Sequence, residues 1–262
     1  MKSYSCILVE KRDEVLVITL NRPEIGNAFN SELIEELTEV FGSIEEEVRA
    51  IVLTGAGKVF CAGADLNWMK RMAEFTEEEN YADARAMDQM FYTIDVCPKP
   101  VVAKVNGAAI AGGMGFLGVS DVVIASKAAK FGFTEVNLGI IPAVVSPYVM
   151  PKIGYSQTRS LFLSAELFSA EKAKEIGLVH EIVEPELLDA RVEERLKDLS
   201  KGGSSAQAIC KKWLRELRGM DIERAREESA RIIAGLRVSS EGQEGMRAFL
   251  EKRKPAWIKG DK

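Results

Sequence analysis

The chain has 262 residues, of which 47% are apolar, and it carries a formal net charge of −5. This size suits one α/β domain or a larger domain with a small appendage, and the acidic balance argues against a duplex nucleic-acid partner, which requires a basic face. No run of about 18 apolar residues is present to span a membrane, and the first residues turn polar too soon for a secretory signal, so we expect a cytoplasmic protein.

The first part of the chain predicts a β-hairpin followed by an amphipathic helix. Two β-rich runs within residues 6–20 flank the polar turn Lys11–Glu14, which is the pattern of a hairpin. Asn30 or Ser31 can cap the helix that follows. The apolar face of this predicted helix has helical spacing and consists of Leu33, Ile34, Leu37, Val40, Phe41 and Ile44.

Three short apolar runs predict buried parallel strands at residues 50–54, 101–105 and 122–126. A loop at 55–65 and a polar helical stretch to about residue 95 follow the first run. The glycine-rich segment 109–118 follows the second. A strand, a loop and a helix repeated in this order predict an α/β fold with a parallel sheet.

The last part of the chain is almost entirely helical in pattern from about residue 186, with a break at residues 202–205. Met246, Phe249 and Leu250 form an apolar stripe near its end. Such a stripe covers either the chain's own core or a second subunit, and the general behaviour of amphipathic helices favours internal packing.

Histidine and cysteine usage narrows the possible chemistry. His180 is the only histidine, which argues against Ser-His-Asp and Cys-His catalysis and against a histidine-rich metal site. Cys6, Cys61, Cys97 and Cys210 form no C-x-x-C pair, so we expect buried, reduced thiols and no metal site. The strand-like setting of His180 favours a structural role, and acid–base work falls to carboxylates, lysine or tyrosine.

The glycine-rich segment contains a formal G-x-G-x-x-G match at Gly113, Gly115 and Gly118. A dinucleotide site is disfavoured, because that fingerprint places its first glycine directly after a strand and the predicted strand ends at residue 105. Main-chain N–H groups at a helix start can instead stabilise negative charge on a carbonyl oxygen. The small-residue loop at 59–66 also follows a strand and can supply a second donor.

Five segments of the sequence together point to a known family. They are LNRPEIGNAFN (20–30), KVFCAGADL (58–66), KVNGAAIAGGMGF (104–116), FGFTEVNLGIIP (131–142) and EGMRAFLEKRKP (244–255). These segments resemble those of the enoyl-CoA hydratase/isomerase, or crotonase, superfamily, and the resemblance covers nearly the whole chain. Two further stretches, 63–73 and 138–149, look most like bacterial hydratases of branched, carboxylated enoyl-CoAs of the methylglutaconyl-CoA type in leucine breakdown.

The resemblance implies a crotonase-like α/β spiral of ββα units at residues 1–200 and a C-terminal helical oligomerisation region at residues 201–262. That region builds homotrimers in the family, often paired into hexamers. For the last helices, the resemblance therefore favours contacts between subunits over the internal packing stated above. The implied ligand is an acyl-CoA thioester, in which coenzyme A is part of the substrate and no prosthetic group is needed.

By motif position, the main-chain N–H groups of Ala64 and Gly112 would form an oxyanion hole, and Glu135 matches the second catalytic glutamate of the family. Glu135 lies between two apolar stretches, so we expect a raised pKa. Phe249 and Lys252 match positions that often reach the site of a neighbouring subunit. The positions implied to bind coenzyme A are Glu24, Ile25, Ala62, Ala64, Asp65, Leu66, Gly112, Phe249 and Lys252.

The sequence departs from the common hydratase pattern at Gly115, which occupies the position of the first catalytic glutamate. Glu135 alone can then hydrate an enoyl-CoA, or it can shuttle a proton between C2 and C4 as an isomerase does. The flanking segments favour hydration, and the extra space at Gly115 could admit a branched acyl group. Asn67, Lys70 and Arg71 are candidates to hold a substrate carboxylate, but ordinary surface exposure is the favoured reading of these three side chains. A non-catalytic acyl-CoA-binding protein is the third reading, which the retained Glu135 opposes.

Overall fold

The computed structural model describes residues 4–258, which form two sheets covered by helices. The strands are β1 (Ile7–Arg12), β2 (Val15–Leu20), β3 (Ala50–Gly55), β4 (Val59–Cys61), β5 (Val101–Val105), β6 (Ala108–Ile110), β7 (Val122–Ser126), β8 (Lys130–Gly132), β9 (Phe168–Ser169) and β10 (Glu181–Val183). The helices are α1 (Ser31–Gly42), α2 (Leu66–Met72), α3 (Glu77–Val96), α4 (Gly113–Val119), α5 (Ser146–Ser164), α6 (Ala170–Glu175), α7 (Leu188–Ser200), α8 (Ser204–Glu216), α9 (Ile222–Val238) and α10 (Ser240–Leu250).

The larger sheet has six strands in the order β1-β2-β3-β5-β7-β10, and the smaller has four in the order β4-β6-β8-β9. Strands β1 and β2 form the predicted antiparallel hairpin, and β2, β3, β5, β7 and β10 run parallel. The pairs β3–β4, β5–β6 and β7–β8 each give one strand to each sheet. This repeated unit confirms the α/β fold and the spiral of ββα turns.

Alternation along the parallel strands divides the apolar side chains between two cores. Ile51 and Leu53 of β3 point into the main core, whereas Ala50 and Val52 point into a smaller core on the other face. Helix α7 covers this second face with Leu188, Val192 and Leu196. The central strands are therefore buried on both faces, as their continuous apolar sequences predict.

Two predicted loops contain short strands that the sequence does not indicate. The segment 55–65 includes β4, and the segment between β5 and the glycine-rich helix includes β6. Three residues are too few for a periodic pattern to show. The polar helical stretch predicted after residue 65 is two helices, α2 and α3. The second helix begins separately because Thr76 and Glu79 form a capping box at its N-terminus.

The C-terminal helices leave apolar side chains in solvent. Phe249 and Leu250 are 82% and 79% exposed, and Met246 is 42% exposed. Residues 4–258 thus leave Phe249 and Leu250 largely uncovered, which is not the internal packing that amphipathicity alone favours and for which the resemblance had already substituted contacts between subunits. The division at residue 200 and the role of residues 201–262 in assembly stay predictions. None of the helices described combines the length and apolarity needed to cross a membrane.

Candidate active site

A cavity of about 510 Å³ lies where the loops after β4 and β6 meet helices α2 and α3. Ala62, Ala64 and Gly112 line it from the two loops. A 3-10 turn, Glu135–Leu138, and the segment 140–145 close its other side. The cavity brings together the three residues that the resemblance assigns to catalysis.

The two loops meet because their strands are neighbours. Strands β4 and β6 are parallel and paired, with Cys61 opposite Ala109, so both loops leave the same edge of the sheet. A Cβ added to Gly63 would lie 3.2 Å from the Cβ of Ala111. The residues immediately before Ala64 and Gly112 are therefore in contact across the two loops.

Each loop reverses its backbone one residue before the implied oxyanion donor. Gly63 has a φ of 94° and Ala111 a φ of 49°. The left-handed conformation costs a non-glycine residue such as Ala111 about 1 kcal/mol, and such strain is concentrated at functional sites. Within residues 4–258, neither the Ala64 N–H nor the Gly112 N–H donates a hydrogen bond. Both donors are thus available to a ligand oxygen.

An ion pair fixes the first loop from behind. The Asp65 carboxylate caps α2 by accepting from the Asn67 and Trp68 amides, and its second oxygen accepts from Arg22 Nη2 at 2.7 Å. Arg22 also donates to the Ala28 carbonyl at 2.7 Å. Burial works against ionisation of Asp65, but the Arg22 and amide hydrogen bonds outweigh it, so its pKa is lowered. The Asp65 side chain therefore holds the loop and does not line the cavity.

Glu135 is a buried carboxylate, and one of its oxygens has no partner among the described residues. The residue is 9% exposed, and its Oε2 makes no hydrogen bond within the described chain. Burial raises the pKa of the Glu135 carboxyl, and only its own main-chain amide opposes that shift. The structure agrees with the raised pKa predicted from the apolar flanks. An unpaired carboxylate in an apolar cavity is suited to exchanging protons with a ligand.

The position of the missing first glutamate is filled by packed side chains. A Cβ added to Gly115 would lie 2.4 Å from Phe91 Cζ and 2.8 Å from Val145 Cγ1. Phe91 is fully buried. The expectation that Gly115 leaves space for a branched acyl group is therefore wrong, because the aromatic ring of α3 already occupies that space.

The other motif glycines also serve helix packing. A Cβ on Gly113 would lie 2.6 Å from the Cys61 carbonyl oxygen, and one on Gly118 would lie 3.0 Å from Tyr148 Cβ. Helix α4 is buried at every one of its seven residues. The formal G-x-G-x-x-G match thus packs a short helix into the core, and a pyrophosphate has no room beside it.

A second carboxylate borders the cavity, and sequence reasoning missed it. Asp83 of α3 lines the cavity, and its Oδ1 accepts from Trp68 Nε1 at 3.1 Å. Asn80, Ala84 and Met87 line it from the same helix. These four residues follow the spacing i, i+3, i+4, i+7, which places them on one face of a helix. That spacing was the feature of the sequence from which this wall of the cavity could have been predicted.

Of the positions implied to bind coenzyme A, Ala64 and Gly112 line the cavity, Asp65 does not, and the others fall into two groups. Ala62 and Leu66 line the cavity. The Ala62 N–H donates to the Gly26 carbonyl at 2.9 Å, so the exposed turn Pro23–Ile25, which contains Glu24 and Ile25, lies beside Ala62. Phe249 and Lys252 are exposed and do not line this cavity. Their assignment to a neighbouring subunit's site stays a prediction.

The residues proposed to hold a substrate carboxylate do not reach the cavity. Asn67, Lys70 and Arg71 lie on the exposed side of α2, whereas Trp68 and Met69 of the same helix line the cavity. Among the lining residues of the described chain there is no lysine, arginine or histidine. The cavity therefore offers a ligand apolar surface and acidic groups.

The histidine and cysteines have structural settings. His180 Nδ1 accepts from the Val123 N–H at 2.9 Å, which favours a structural role for this histidine. Cys61 is fully buried, and burial raises its pKa to about 12, so it remains a thiol. Cys6 and Cys97 are buried as well, but Cys210 is exposed, which corrects the expectation of four buried thiols.

This arrangement can stabilise an enolate. Two main-chain donors that share one acyl oxygen oppose the charge that develops there when an adjacent carbon loses or gains a proton. The Glu135 carboxylate can carry that proton. Proton transfer next to a carbonyl group is therefore the chemistry that the cavity supports.

Comparisons with known proteins agree over nearly the full length. A model of the enoyl-CoA hydratase/isomerase family matches residues 10–260. The chain is 33% identical over 260 residues to a crotonyl-CoA hydratase of Syntrophomonas wolfei, covering 98% of this chain and 99% of that protein. It is 34% identical over 256 residues to a short-chain-enoyl-CoA hydratase of Clostridium acetobutylicum, covering 95% of each. A solved enoyl-CoA hydratase of Shewanella pealeana superposes with a TM-score of 0.93 at 37% identity, over 97% of this chain and 96% of that one.

Proposed function

The chain belongs to the enoyl-CoA hydratase/isomerase family, and we propose that it adds water across the α,β double bond of an enoyl-CoA thioester with Glu135 as its only catalytic carboxylate. The observation that carries the proposal is the buried, unpaired Oε2 of Glu135 in one cavity with two unpaired main-chain amides. The names of several relatives as hydratases support water addition.

In the proposed reaction, the amides of Ala64 and Gly112 donate to the thioester carbonyl oxygen. The Glu135 carboxylate accepts a proton from water as the water oxygen bonds to C3, and the electron pair of the double bond moves through C2 to the carbonyl oxygen. The protonated Glu135 then gives its proton to C2 and returns to the carboxylate. Loss of one oxyanion donor costs about 3 kcal/mol of transition-state stabilisation in other enzymes.

The raised pKa of Glu135 suits both halves of this cycle. A base whose pKa approaches the working pH is a stronger proton acceptor than an ordinary carboxylate and still a competent donor once protonated. Because the reaction starts with the ionised carboxylate, kcat/KM falls as the pH drops through the pKa of Glu135. We expect this acid limb above the ordinary glutamate value of 4.5.

The cavity favours an uncharged acyl group. Met69, Met72 and Met87 give it flexible apolar walls, and no cationic side chain of the described residues lines it. Resemblance of the flanking segments to hydratases of carboxylated enoyl-CoAs, such as 3-methylglutaconyl-CoA, finds no support in this lining. We therefore propose a hydrocarbon acyl chain as the substrate.

Isomerisation of a 3-enoyl-CoA to the conjugated 2-enoyl-CoA is the second candidate. The observation that favours it is the sealed position of Gly115, which leaves no second glutamate beside the glycine loop. A proton shuttle from C2 to C4 needs one carboxylate and no water. The same oxyanion donors would stabilise the dienolate.

We further propose that the protein assembles as a homotrimer or a dimer of trimers. The exposed Phe249 and Leu250 near the end of α10 and the exposed Val238 at the end of α9 support an interface there. The arrangement would let Phe249 and Lys252 reach coenzyme A bound to a neighbouring subunit.

The test compares the native protein with Glu135→Gln on crotonyl-CoA and on trans-3-hexenoyl-CoA, following the absorbance of the conjugated thioester. Loss of absorbance from crotonyl-CoA indicates hydration, and gain of absorbance from the 3-enoyl substrate indicates isomerisation. We expect hydration, with kcat reduced about 10²- to 10⁴-fold in Glu135→Gln. Glu193→Gln is the matched control, because Glu193 is exposed on α7, across the sheet from the cavity. Full activity of Glu135→Gln, or no turnover of either thioester by the native protein, would contradict the proposal.

A further inference from the structure

We propose that Asp83 is a specificity-determining residue that excludes acyl groups carrying a carboxylate from the cavity. The inference rests on the proposed function only in taking an acyl-CoA thioester as the ligand. It assigns a role to a side chain that lies outside every segment carrying the family resemblance.

The helix face places Asp83 in the wall of the cavity. Asn80, Asp83, Ala84 and Met87 follow one another at three- and four-residue spacing along α3, and all four line the cavity. Asn80 is occupied within the chain, since its Nδ2 donates to the carbonyls that precede α3. Asp83 is thus the charged member of an otherwise neutral face.

One hydrogen bond from a buried indole fixes the position of the carboxylate. Trp68 is 4% exposed, and its Nε1 donates to Asp83 Oδ1 at 3.1 Å. The Trp68 amide is itself held by Asp65 at the start of α2. Asp83 is therefore anchored to the helix that begins directly after the Ala64 loop. Its Oδ2 makes no hydrogen bond or ion pair with residues 4–258.

The charge balance of the cavity turns this carboxylate into a barrier. Glu135 and Asp83 are its two acidic groups, and the lining contains no cation from the described residues. Arg71 interacts electrostatically with Asp83 but is exposed and lies outside the cavity. A carboxylate on the acyl chain would lose its hydration beside like charges, with no counter-ion to replace the water.

An uncharged acyl chain meets no such penalty. Met72 and Met87 flank the acidic group with flexible apolar side chains. An alkyl chain that packs against them brings no charge next to Asp83, so the repulsion is absent. Asp83 thus discriminates by repulsion, which is a common source of specificity.

The experiment measures binding of two saturated thioesters, butyryl-CoA and glutaryl-CoA, by isothermal titration calorimetry. Neither has a double bond, so the measurement does not depend on turnover. We expect the native protein to prefer butyryl-CoA by about 10- to 100-fold, equivalent to about 1.4–2.7 kcal/mol. In Asp83→Asn, which keeps the shape and an oxygen acceptor for Trp68, the preference shrinks at least about threefold, because glutaryl-CoA binds more tightly while butyryl-CoA is unchanged; Glu135 and a lining with no cation from the described residues account for what remains.

Two further variants keep the result interpretable. Glu78→Gln removes a negative charge from an exposed position of the same helix and should leave the preference unchanged. Asp83→Ala removes the charge without relying on the amide, and it should relax the preference as Asp83→Asn does.

The outcomes separate the two proposals. Equal binding of both thioesters by the native protein, or a preference of unchanged size in Asp83→Asn and Asp83→Ala, overturns the role of Asp83. If the native preference is present and depends on Asp83, but enoyl-CoA substrates are not turned over, only the proposed hydration fails. If neither thioester binds, the cavity is not an acyl-CoA site and both proposals fall.

Discussion

Replacing Gly115 by alanine tests whether the place of the missing glutamate is filled by the core. The added Cβ would lie 2.4 Å from Phe91 Cζ and 2.7 Å from its Cε1, with Val145 Cγ1 at 2.8 Å on another side. The Phe91 ring is fully buried and packs edge-on against Phe116, with ring centroids 5.4 Å apart. It is therefore held in place when the methyl group arrives.

The cost follows from these distances. Ordinary carbon–carbon contacts are about 3.5 Å, so the Phe91 ring would have to move by roughly 1 Å within a close-packed core. Overpacking of this kind costs about 1–3 kcal/mol, and the better helix propensity of alanine returns at most about 1 kcal/mol. We expect Gly115→Ala to lower the free energy of unfolding by about 2 kcal/mol.

Urea unfolding at one fixed protein concentration measures this difference, because an oligomer's apparent stability depends on concentration. Gly42→Ala is the matched control, since Gly42 ends α1 with no atom within 4 Å of an added Cβ, and its effect should stay within about 0.5 kcal/mol. Phe91→Leu opens the space, so the double variant Gly115→Ala/Phe91→Leu should show a favourable coupling of about 1–2 kcal/mol. Equal stability of Gly115→Ala and Gly42→Ala would refute the reasoning.

Two other side chains give predictions of their own. Arg22→Met leaves the Asp65 carboxylate and the Ala28 carbonyl without their partner, so urea unfolding should show a loss of about 3 kcal/mol at neutral pH. The pKa of Asp65 is lowered in the folded chain, so the difference in unfolding free energy between the native protein and Arg22→Met should shrink as the pH falls below about 4. A difference that stays constant with pH would contradict this reasoning. His180→Ala removes the acceptor for Val123 N–H and should cost about 1–2 kcal/mol of stability without changing turnover, whereas His180→Asn retains an acceptor and should cost less. Burial lowers the pKa of His180, so the stability of the native protein should decrease as the pH falls below 6.5, more steeply than that of His180→Asn in thermal melts at matched pH.

Elements with a strong periodic pattern could be predicted from the sequence. Helix α1 begins where Asn30 accepts from the Leu33 amide, and its buried residues are those of the predicted apolar face apart from Ile44, which lies beyond the helix. The continuous apolar runs gave the central parallel strands, because burial on both faces removes the need for alternation. Periodicity could not reveal β4 or β6, which are three residues long and depend on the partner strand for their definition.

The site was predicted in part, and the resemblance supplied most of it. Glu135, Ala64 and Gly112 line one cavity, as expected from motif position. The face of α3 that carries Asp83 could have been found from its helical spacing, but its contacts could not, since the closing of Gly115 depends on Phe91 and the anchoring of Asp83 on Trp68. The first contact joins α3 to α4 and the second joins α3 to α2. A single sequence carries no signal for such pairings between helices.

The two amides at the cavity belong to the backbone, and this has a consequence for how the protein can change. Each N–H group is supplied by the backbone whatever side chain its residue carries, as long as the backbone reversals at Gly63 and Ala111 persist, because only proline removes an N–H group. In the proposed reaction these amides polarise the thioester carbonyl, so that function would be insulated from most side-chain substitutions. Under the same proposal, relocating a single acid around the cavity would alter the reaction without removing the two donors.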